Sequence, residues 1–317
     1  MQDIRLKPTR DGAGEAMVEL GKRNKNVVVL SADLTDSTRA EWFRKSYPDR
    51  FIGFGVAEQD MFGTAGGLAL SGKIPFACTF GIFASGRAWD QIRVSVAYMN
   101  LNVKIIGTHG GVTVGEDGAT HQALDEIALM RILPNMTVVV PSDAIEAYKA
   151  TMQAAQIQGP VYIRLGRNPA PILTKEEDAF QIGKAILYRD GKDVTIIACG
   201  HSLYEAREAK GKLELEGISA RVINLHTPKP LDKDLILKAA EETGAFVTVE
   251  EHSIYGGMGS AVAEFISQHY PIPIRMVGIR DKFGESGAPL ELLKYFNLTT
   301  DDVVKAVREV LKAKRPR

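Results

Sequence analysis

Acidic, imidazole, hydroxyl and guanidinium side chains recur at one kind of place in the first half of this sequence, just after short β-branched runs. Asp33 and Ser37 follow the run ending at Ala32, Glu58 follows Val56, and Phe80 and Phe83 close the next run. His109, Asp117 and His121 come after Gly107, and Arg167 after Leu165. Carboxylates and imidazoles exchange protons and guanidinium groups bind anions, so a rim that gathered them could run acid–base chemistry on a charged ligand. In open parallel sheets ligands bind beyond the carboxyl ends of the strands, which is where these residues would meet. Taken one at a time, each has an ordinary role. Asp33 and Ser37 suit turns and helix caps. Glu58 suits the positive end of a helix dipole. Phe80 and Phe83 suit a core, His109 and His121 hydrogen-bonded loops, Arg164 and Arg167 surface ion pairs. What sets them apart is that five strand ends share one rim.

The segment Gly107-Thr-His-Gly-Gly-Val-Thr-Val-Gly-Glu-Asp-Gly118 carries five glycines, two acids and a histidine. Glycine lets the backbone approach a ligand closely at an entropic cost, so this loop reads as functional. Other motifs narrow the field. No Gly-x-Gly-x-x-Gly follows a strand candidate, and Gly67 to Lys73 imitates a phosphate loop but has Ile74 where Ser or Thr is needed. His109 and His121 do not have a common zinc spacing. Gly256-Gly-Met-Gly259 opens a helix whose amides could hold an anion, with close helix packing an equal reading.

To bring such residues together the chain needs strands that end on one side. Runs at 27–32, 51–56, 75–80, 103–108, 137–141 and 161–166 alternate with helical periods near 12–24, 59–71, 84–99, 122–133 and 144–157. That is the signature of a mostly parallel sheet flanked by helices. Asp143 with Glu146 three residues on marks a helix start of the capping-box type. From Gly166 to Gly183 the rhythm breaks at Pro169, Pro171 and an acidic run, as an interdomain connection would. A second unit follows, with strands at 193–199, 219–225, 245–250 and 272–279 and helices near 203–216, 231–242, 258–269 and 300–313. The expected fold is α/β, two tandem domains at 1–175 and 185–317, which suits a chain of 317 residues.

Lys plus Arg equals Asp plus Glu at 39 each, so no net field exists to hold nucleic acid or an anionic membrane. The longest uncharged stretch, Ala150 to Ile163, is too short and too polar to span a bilayer. The polar start, Met-Gln-Asp-Ile-Arg-Leu-Lys-Pro, lacks the apolar core of a secretory signal, and a cytoplasmic location is expected. With only Cys78 and Cys199, neither a disulfide framework nor a Cys-rich zinc site can form; both read as buried free thiols.

On its motifs the chain resembles the C-terminal half of transketolases over nearly its full length. The resemblance is carried by Ser31-Ala-Asp-Leu-Thr-Asp-Ser37, Gly55-Val-Ala-Glu58-Gln, Thr79-Phe-Gly-Ile-Phe83, and Thr108-His109 through Gly115-Glu-Asp-Gly-Ala-Thr-His121-Gln. Thr9-Arg10 near the start and Leu165-Gly-Arg167 complete it. The length resembles that of the C-terminal subunit of a split transketolase. What this implies is a pyrimidine-binding domain followed by a transketolase C-terminal domain, thiamine diphosphate as cofactor, and transfer of a two-carbon ketol unit from a ketose phosphate to an aldose phosphate. Glu58 then matches the carboxyl that hydrogen-bonds the aminopyrimidine and drives its tautomerisation, in a poorly solvated pocket walled by Phe80 and Phe83, with Asp33 near the cofactor. Asp117 and His121 match contacts to the donor ketose, His121 shuttling protons, and Arg10, Ser37, His109 and Arg167 match the holders of the substrate phosphate.

Two departures bear on the resemblance. Gly86 stands where many transketolases have a tyrosine, and the Gly-Asp-Gly motif by which the family's other half holds metal and diphosphate is absent. Magnesium or calcium is therefore expected mainly on a partner N-terminal subunit, in an α2β2 heterotetramer with active sites between chains. The β subunit of a 2-oxo acid dehydrogenase and a deoxyxylulose-phosphate-synthase-like enzyme share the architecture, and a cofactor-free scaffold subunit is the non-enzymatic alternative. The phosphate quartet weighs against the first, because a small 2-oxo acid carries no distal phosphate.

Overall fold

The computed structural model describes residues 5–314; residues 1–4, part of the polar start, and residues 315–317 lie outside it. The chain opens with β1 (Leu6–Pro8) and α1 (Thr9–Arg23), then β2 (Val27–Ser31), α2 (Ala40–Ser46), β3 (Phe51–Gly53), α3 (Glu58–Leu70) and β4 (Ile74–Phe80). Two π-helical stretches, Phe83–Arg87 and Ile92–Tyr98, flank the short α4 (Trp89–Gln91). There follow β5 (Lys104–Thr108), α5 (Glu126–Arg131), β6 (Thr137–Val139), α6 (Ala144–Ala154), β7 (Val161–Arg164) and β8 (Pro169–Pro171).

Six of these strands form a parallel sheet in the order β3-β2-β4-β5-β7-β6. The chain goes outward from β2 to β3 and returns on the other side as β4, so the crevice between the ends of β2 and β4 is the point where connections diverge, the usual place for a ligand in such sheets. β2, β5 and β7 are buried along their whole length, as strands covered on both faces should be. Lys104 at the start of β5 is buried too, and donates from Nζ to the carbonyls of Ile157 and Gly159 at 2.7 Å each.

The second unit comprises β9 (Ile186–Arg189), β10 (Val194–Ala198), α7 (Ser202–Leu215), β11 (Ala220–Asn224), α8 (Lys233–Thr243), β12 (Phe246–Ser253), α9 (Met258–His269), β13 (Ile274–Ile279), α10 (Pro289–Tyr295) and α11 (Thr300–Ala313). Its sheet runs β13-β12-β10-β11-β9, parallel except for β9 at the edge. The expected α/β architecture with two sheets flanked by helices is what the chain adopts.

Three details differ from the sequence pattern. The expected helix over 84–99 is broken into π turns around Gly86. The stretch expected to connect the domains begins with a strand, β8, which pairs antiparallel with β1 and ties the start of the chain to the exit of the first domain. The domains are also not separate beads. One buried apolar cluster runs from Met61, Ile127 and Val138 of the first to Ile223, Phe246 and Met258 of the second. Backbone amides of Val138 and Val140 donate to the carbonyls of Lys229 and His226 across it, each at 2.8 Å.

Candidate active site

Glu58 opens α3 directly after a turn in which Gly55 takes φ +59°, and its carboxylate is 1% exposed. Both of its oxygens accept from a single nitrogen, Nη1 of Arg87, each at 2.9 Å. The Arg87 guanidinium lies 4.6 Å from the ring centroid of Phe83. Phe83 stacks on Phe80 with centroids 5.7 Å apart and planes at 17°, and Phe80 stacks on the imidazole of His109 at 3.7 Å. His121 meets Phe80 and Phe83 edge-on at 5.9 and 5.6 Å. Glu58, Phe80, Phe83, His109 and His121, read separately from the sequence, thus form one connected cluster, with Arg87 as the link between the carboxylate and the rings.

Beside the cluster lies a concentration of positive charge. Arg10 donates from Nη1 to the carbonyl of Ser37 at 2.8 Å, while its Nε is buried with no partner. Arg39 is fixed by Asp11, Nε to Oδ1 2.7 Å, and Arg167 donates to the Val114 carbonyl at 2.8 Å and to Asp117 Oδ2 at 3.2 Å. Burial and the like charges of Arg39 and Arg167 hold Arg10 below the usual arginine range. His109 feels the same field. Burial first, then Arg10, Arg167 and neighbouring cations, push its pKa down to about 3, so at neutral pH it is an uncharged imidazole. Its Nδ1 lies 3.0 Å from the Thr108 hydroxyl, which leaves Nε2 for a ligand. Two guanidinium groups with an unspent buried donor and a neutral imidazole make a receptor for a compact anion.

The nearness of Arg10 to Arg167 is set by the residues just before them. Thr9 and Gly166, the residues before each of them, are joined by a hydrogen bond from the Gly166 amide to the Thr9 hydroxyl at 2.8 Å. Ser37 enters through its carbonyl, and Asp117 as the ion-pair partner of Arg167. Asp33 takes φ +57° after β2 and is exposed; no hydrogen bond or ring contact draws it into the cluster. Sequence reasoning passed over Arg39 and Arg87. The spacing of Arg87, four residues after Phe83 in a helical stretch, was a usable signal because it puts both on one face.

The glycine-rich loop has a different cause from the one its composition suggested. A Cβ at Gly111, φ +89°, would stand 2.3 Å from Glu251, and one at Gly118, φ +71°, 2.4 Å from the Ser286 hydroxyl. Both neighbours belong to the second domain. These glycines let the loop bearing His109 and Asp117 press against that domain, so the bare backbone faces protein there and not ligand.

Behind the loop, Arg164 bonds Glu126 at 2.6 Å through Nε and the Glu251 carbonyl at 2.7 Å through Nη2; Arg164 was expected in a surface ion pair but is 5% exposed. Burial pushes the carboxyls of Glu126, Glu250 and Glu251 up; Arg164 opposes this at Glu126, and backbone amides oppose it at the other two, Thr113 donating to Glu251 and Met258 and Gly259 to Glu250. Glu250 also settles the reading of Gly256 to Gly259. The amides of Met258 and Gly259 at the start of α9 donate to it at 2.7 and 2.8 Å, so the anion held by that helix end is the chain's own.

A buried carboxylate beside aromatic rings suits an aminopyrimidine, which needs an acceptor for a ring proton and an apolar wall. Nothing within 4 Å would meet a Cβ at Gly86, so the wall is open where a tyrosine was missing. Among the described residues no group of three or more His, Cys, Asp or Glu side chains could hold a metal ion, and no helix is long and apolar enough to cross a membrane.

Comparison with known proteins gives two family matches, the transketolase pyrimidine-binding domain over residues 7–171 and the transketolase C-terminal domain over residues 183–303. A "putative transketolase C-terminal section" of Methanocaldococcus jannaschii is 47% identical over 309 residues, covering 96% of this chain and 97% of that protein. The "6-deoxy-6-sulfo-D-fructose transketolase subunit" of a Clostridium species is 44% identical, covering 96% and 95%. A solved structure described as "split gene transketolase, inactive beta4 tetramer" superposes with a TM-score of 0.92 at 50% identity, over 97% of this chain and 99% of that one.

Proposed function

Since the chain belongs to the transketolase family and spans its pyrimidine-binding and C-terminal domains, we propose that it is the C-terminal subunit of a two-subunit transketolase that moves a two-carbon ketol unit between sugar phosphates. The observation that carries this reading is the buried Glu58 carboxylate in one cluster with Phe80, Phe83, His109 and His121, next to the cationic pair Arg10 and Arg167. The family's cofactor, thiamine diphosphate, supplies the nucleophilic carbon that accepts the ketol unit when it is bound.

In this reading Glu58 holds a proton against the pyrimidine ring nitrogen, and its burial keeps water from competing for that contact. Phe83 and Phe80 wall the pyrimidine, and Asp33, exposed beyond the end of β2, stands outside those contacts. His121 and Asp117 meet the hydroxyls of the donor sugar, where His121 accepts and returns the hydroxyl proton as the carbon–carbon bond breaks. Arg10, Arg167, His109 and Ser37 hold the distal phosphate. The M. jannaschii and Clostridium relatives support a division of labour in which an N-terminal subunit brings the diphosphate and metal site. Exposed Val56, Leu70, Val94, Tyr98 and Met99, on and around the elements that carry Glu58 and Phe83, suit a face covered by that partner in an α2β2 assembly. The sulfo-sugar named for the Clostridium relative shows that family members differ in the anionic tail they accept, so the phosphate is this chain's inferred tail and not a family constant.

Mixing the chain with a companion that bears Gly-Asp-Gly and measuring ketol transfer tests the assignment. Transfer is expected only in the mixture, and Glu58→Gln should lower it by about 100-fold or more while the subunits still assemble. Full activity of this chain alone with thiamine diphosphate and magnesium would sink the division of labour.

A further inference from the structure

Arg87 occupies both features that the pyrimidine would use, the carboxylate of Glu58 and the neighbourhood of the Phe83 ring. A guanidinium is a flat, delocalised cation with N–H donors at its edge, so it can imitate a flat ring that offers a donor to the same acceptor while lying against the same aromatic. Resting on the functional reading above, we propose that Arg87 is a gate on the pyrimidine site, which holds Glu58 until the cofactor ring displaces it.

The contact is made to be exchanged. Arg87 touches both carboxylate oxygens with one nitrogen, in place of the two parallel bonds of a fork-on-fork pair, which forgoes much of the strength available to arginine. Among the described residues its other side-chain nitrogens make no hydrogen bond. Glu58 is sealed at 1% exposure, yet the Arg87 side chain is 46% exposed, so the guanidinium can leave into water without crossing protein. Gly86 beside it has nothing within 4 Å of a Cβ, which leaves room for the swing. The backbone stays in place meanwhile, because Gln59 donates from Nε2 to the Arg87 carbonyl at 3.2 Å and Trp89 donates from Nε1 to the Leu129 carbonyl at 2.9 Å. Until displaced, the guanidinium is, among the described residues, the only hydrogen-bond partner of a carboxylate that would be costly to bury alone.

The test is calorimetric titration of thiamine diphosphate, with magnesium, into the assembled pair of subunits carrying wild type, Arg87→Ala or Arg87→Gln. Removing a competitor worth a partly exposed ion pair should tighten cofactor binding by about three- to tenfold in Arg87→Ala, with Arg87→Gln between it and wild type. The cofactor concentration for half-maximal rate should fall in step. In a Glu58→Gln background, where a neutral amide replaces the held anion, Arg87→Ala should change affinity less than twofold, a dependence that a merely structural arginine would not show. Thermal melts identify a variant that fails to fold, in which case Arg87→Gln carries the comparison. Equal or weaker cofactor binding by folded Arg87 variants overturns the gate. Failure of the wild-type pair and every variant to bind the cofactor removes the functional reading and the gate with it.

Discussion

His109 shows how far a single side chain is shaped by neighbours that the sequence places far away. In an unfolded chain its imidazole takes a proton near 6.5, but in the folded protein only near 3, because burial and the arginines oppose the charge. Between those values the unfolded state binds the extra proton, so folded stability is lost as pH falls from about 6.5 towards 3. Replacing it with Asn should remove about 2 kcal/mol of that loss at pH 5, so urea unfolding at pH 7 and pH 5 should show the variant gaining on the wild type in acid. Arg10 should act on substrate. Its change to Ala is expected to raise KM for a phosphorylated sugar by roughly 10- to 100-fold and to leave an unphosphorylated analogue unaffected, the span that one or two charge-assisted bonds provide. At this scale most of the site could be read from residue type and position after a strand. Arg87 left only its spacing after Phe83 as a signal, and Arg39 left none, because an arginine in the turn before a helix has no distinguishing pattern until its acceptor, Asp11, is known.

The elements were the most legible layer, since β2, β4, β5 and β7 are apolar runs of strand length and their helices keep an even period. What escaped was conformation set by packing. The π turns after Phe83 and the three-residue pair β1–β8 have no periodic signature, and Gly111 and Gly118 in the loop after β5 are small because another domain presses on them. Gly111→Ala should therefore cost about 2 kcal/mol or more in urea unfolding, combining an unfavourable φ with a collision against Glu251. Gly63 in α3 is the opposite case. A Cβ there would meet nothing within 4 Å, so Gly63→Ala is expected to stabilise the isolated chain by about 0.5–1 kcal/mol, read as a rise in melting temperature.

For the molecule as a whole, two sheets were visible in the sequence but their union was not. The expected connection at 166–183 suggested units joined by a strap, whereas the apolar cluster and the Arg164 network run straight through the boundary. Such a network cannot be inferred from spacing, because Glu126, Arg164 and Glu251 stand 38 and 87 residues apart in turn. Arg164→Met should destabilise the protein by about 3–5 kcal/mol, since it strands acidic groups where water cannot reach. The loss should appear as one cooperative transition at lower denaturant, not as a second domain melting separately.

The bond between the Thr9 hydroxyl and the Gly166 amide spans 157 residues of chain. A ribosome must therefore finish nearly the whole first domain before its opening residues can find their place, and Arg10 waits unpaired with Arg167 until then. Closure over so long a separation is entropically slow, so in a refolding experiment the capacity to bind a small dianion should emerge after the bulk of the sheet has formed, as one of the last properties the domain acquires.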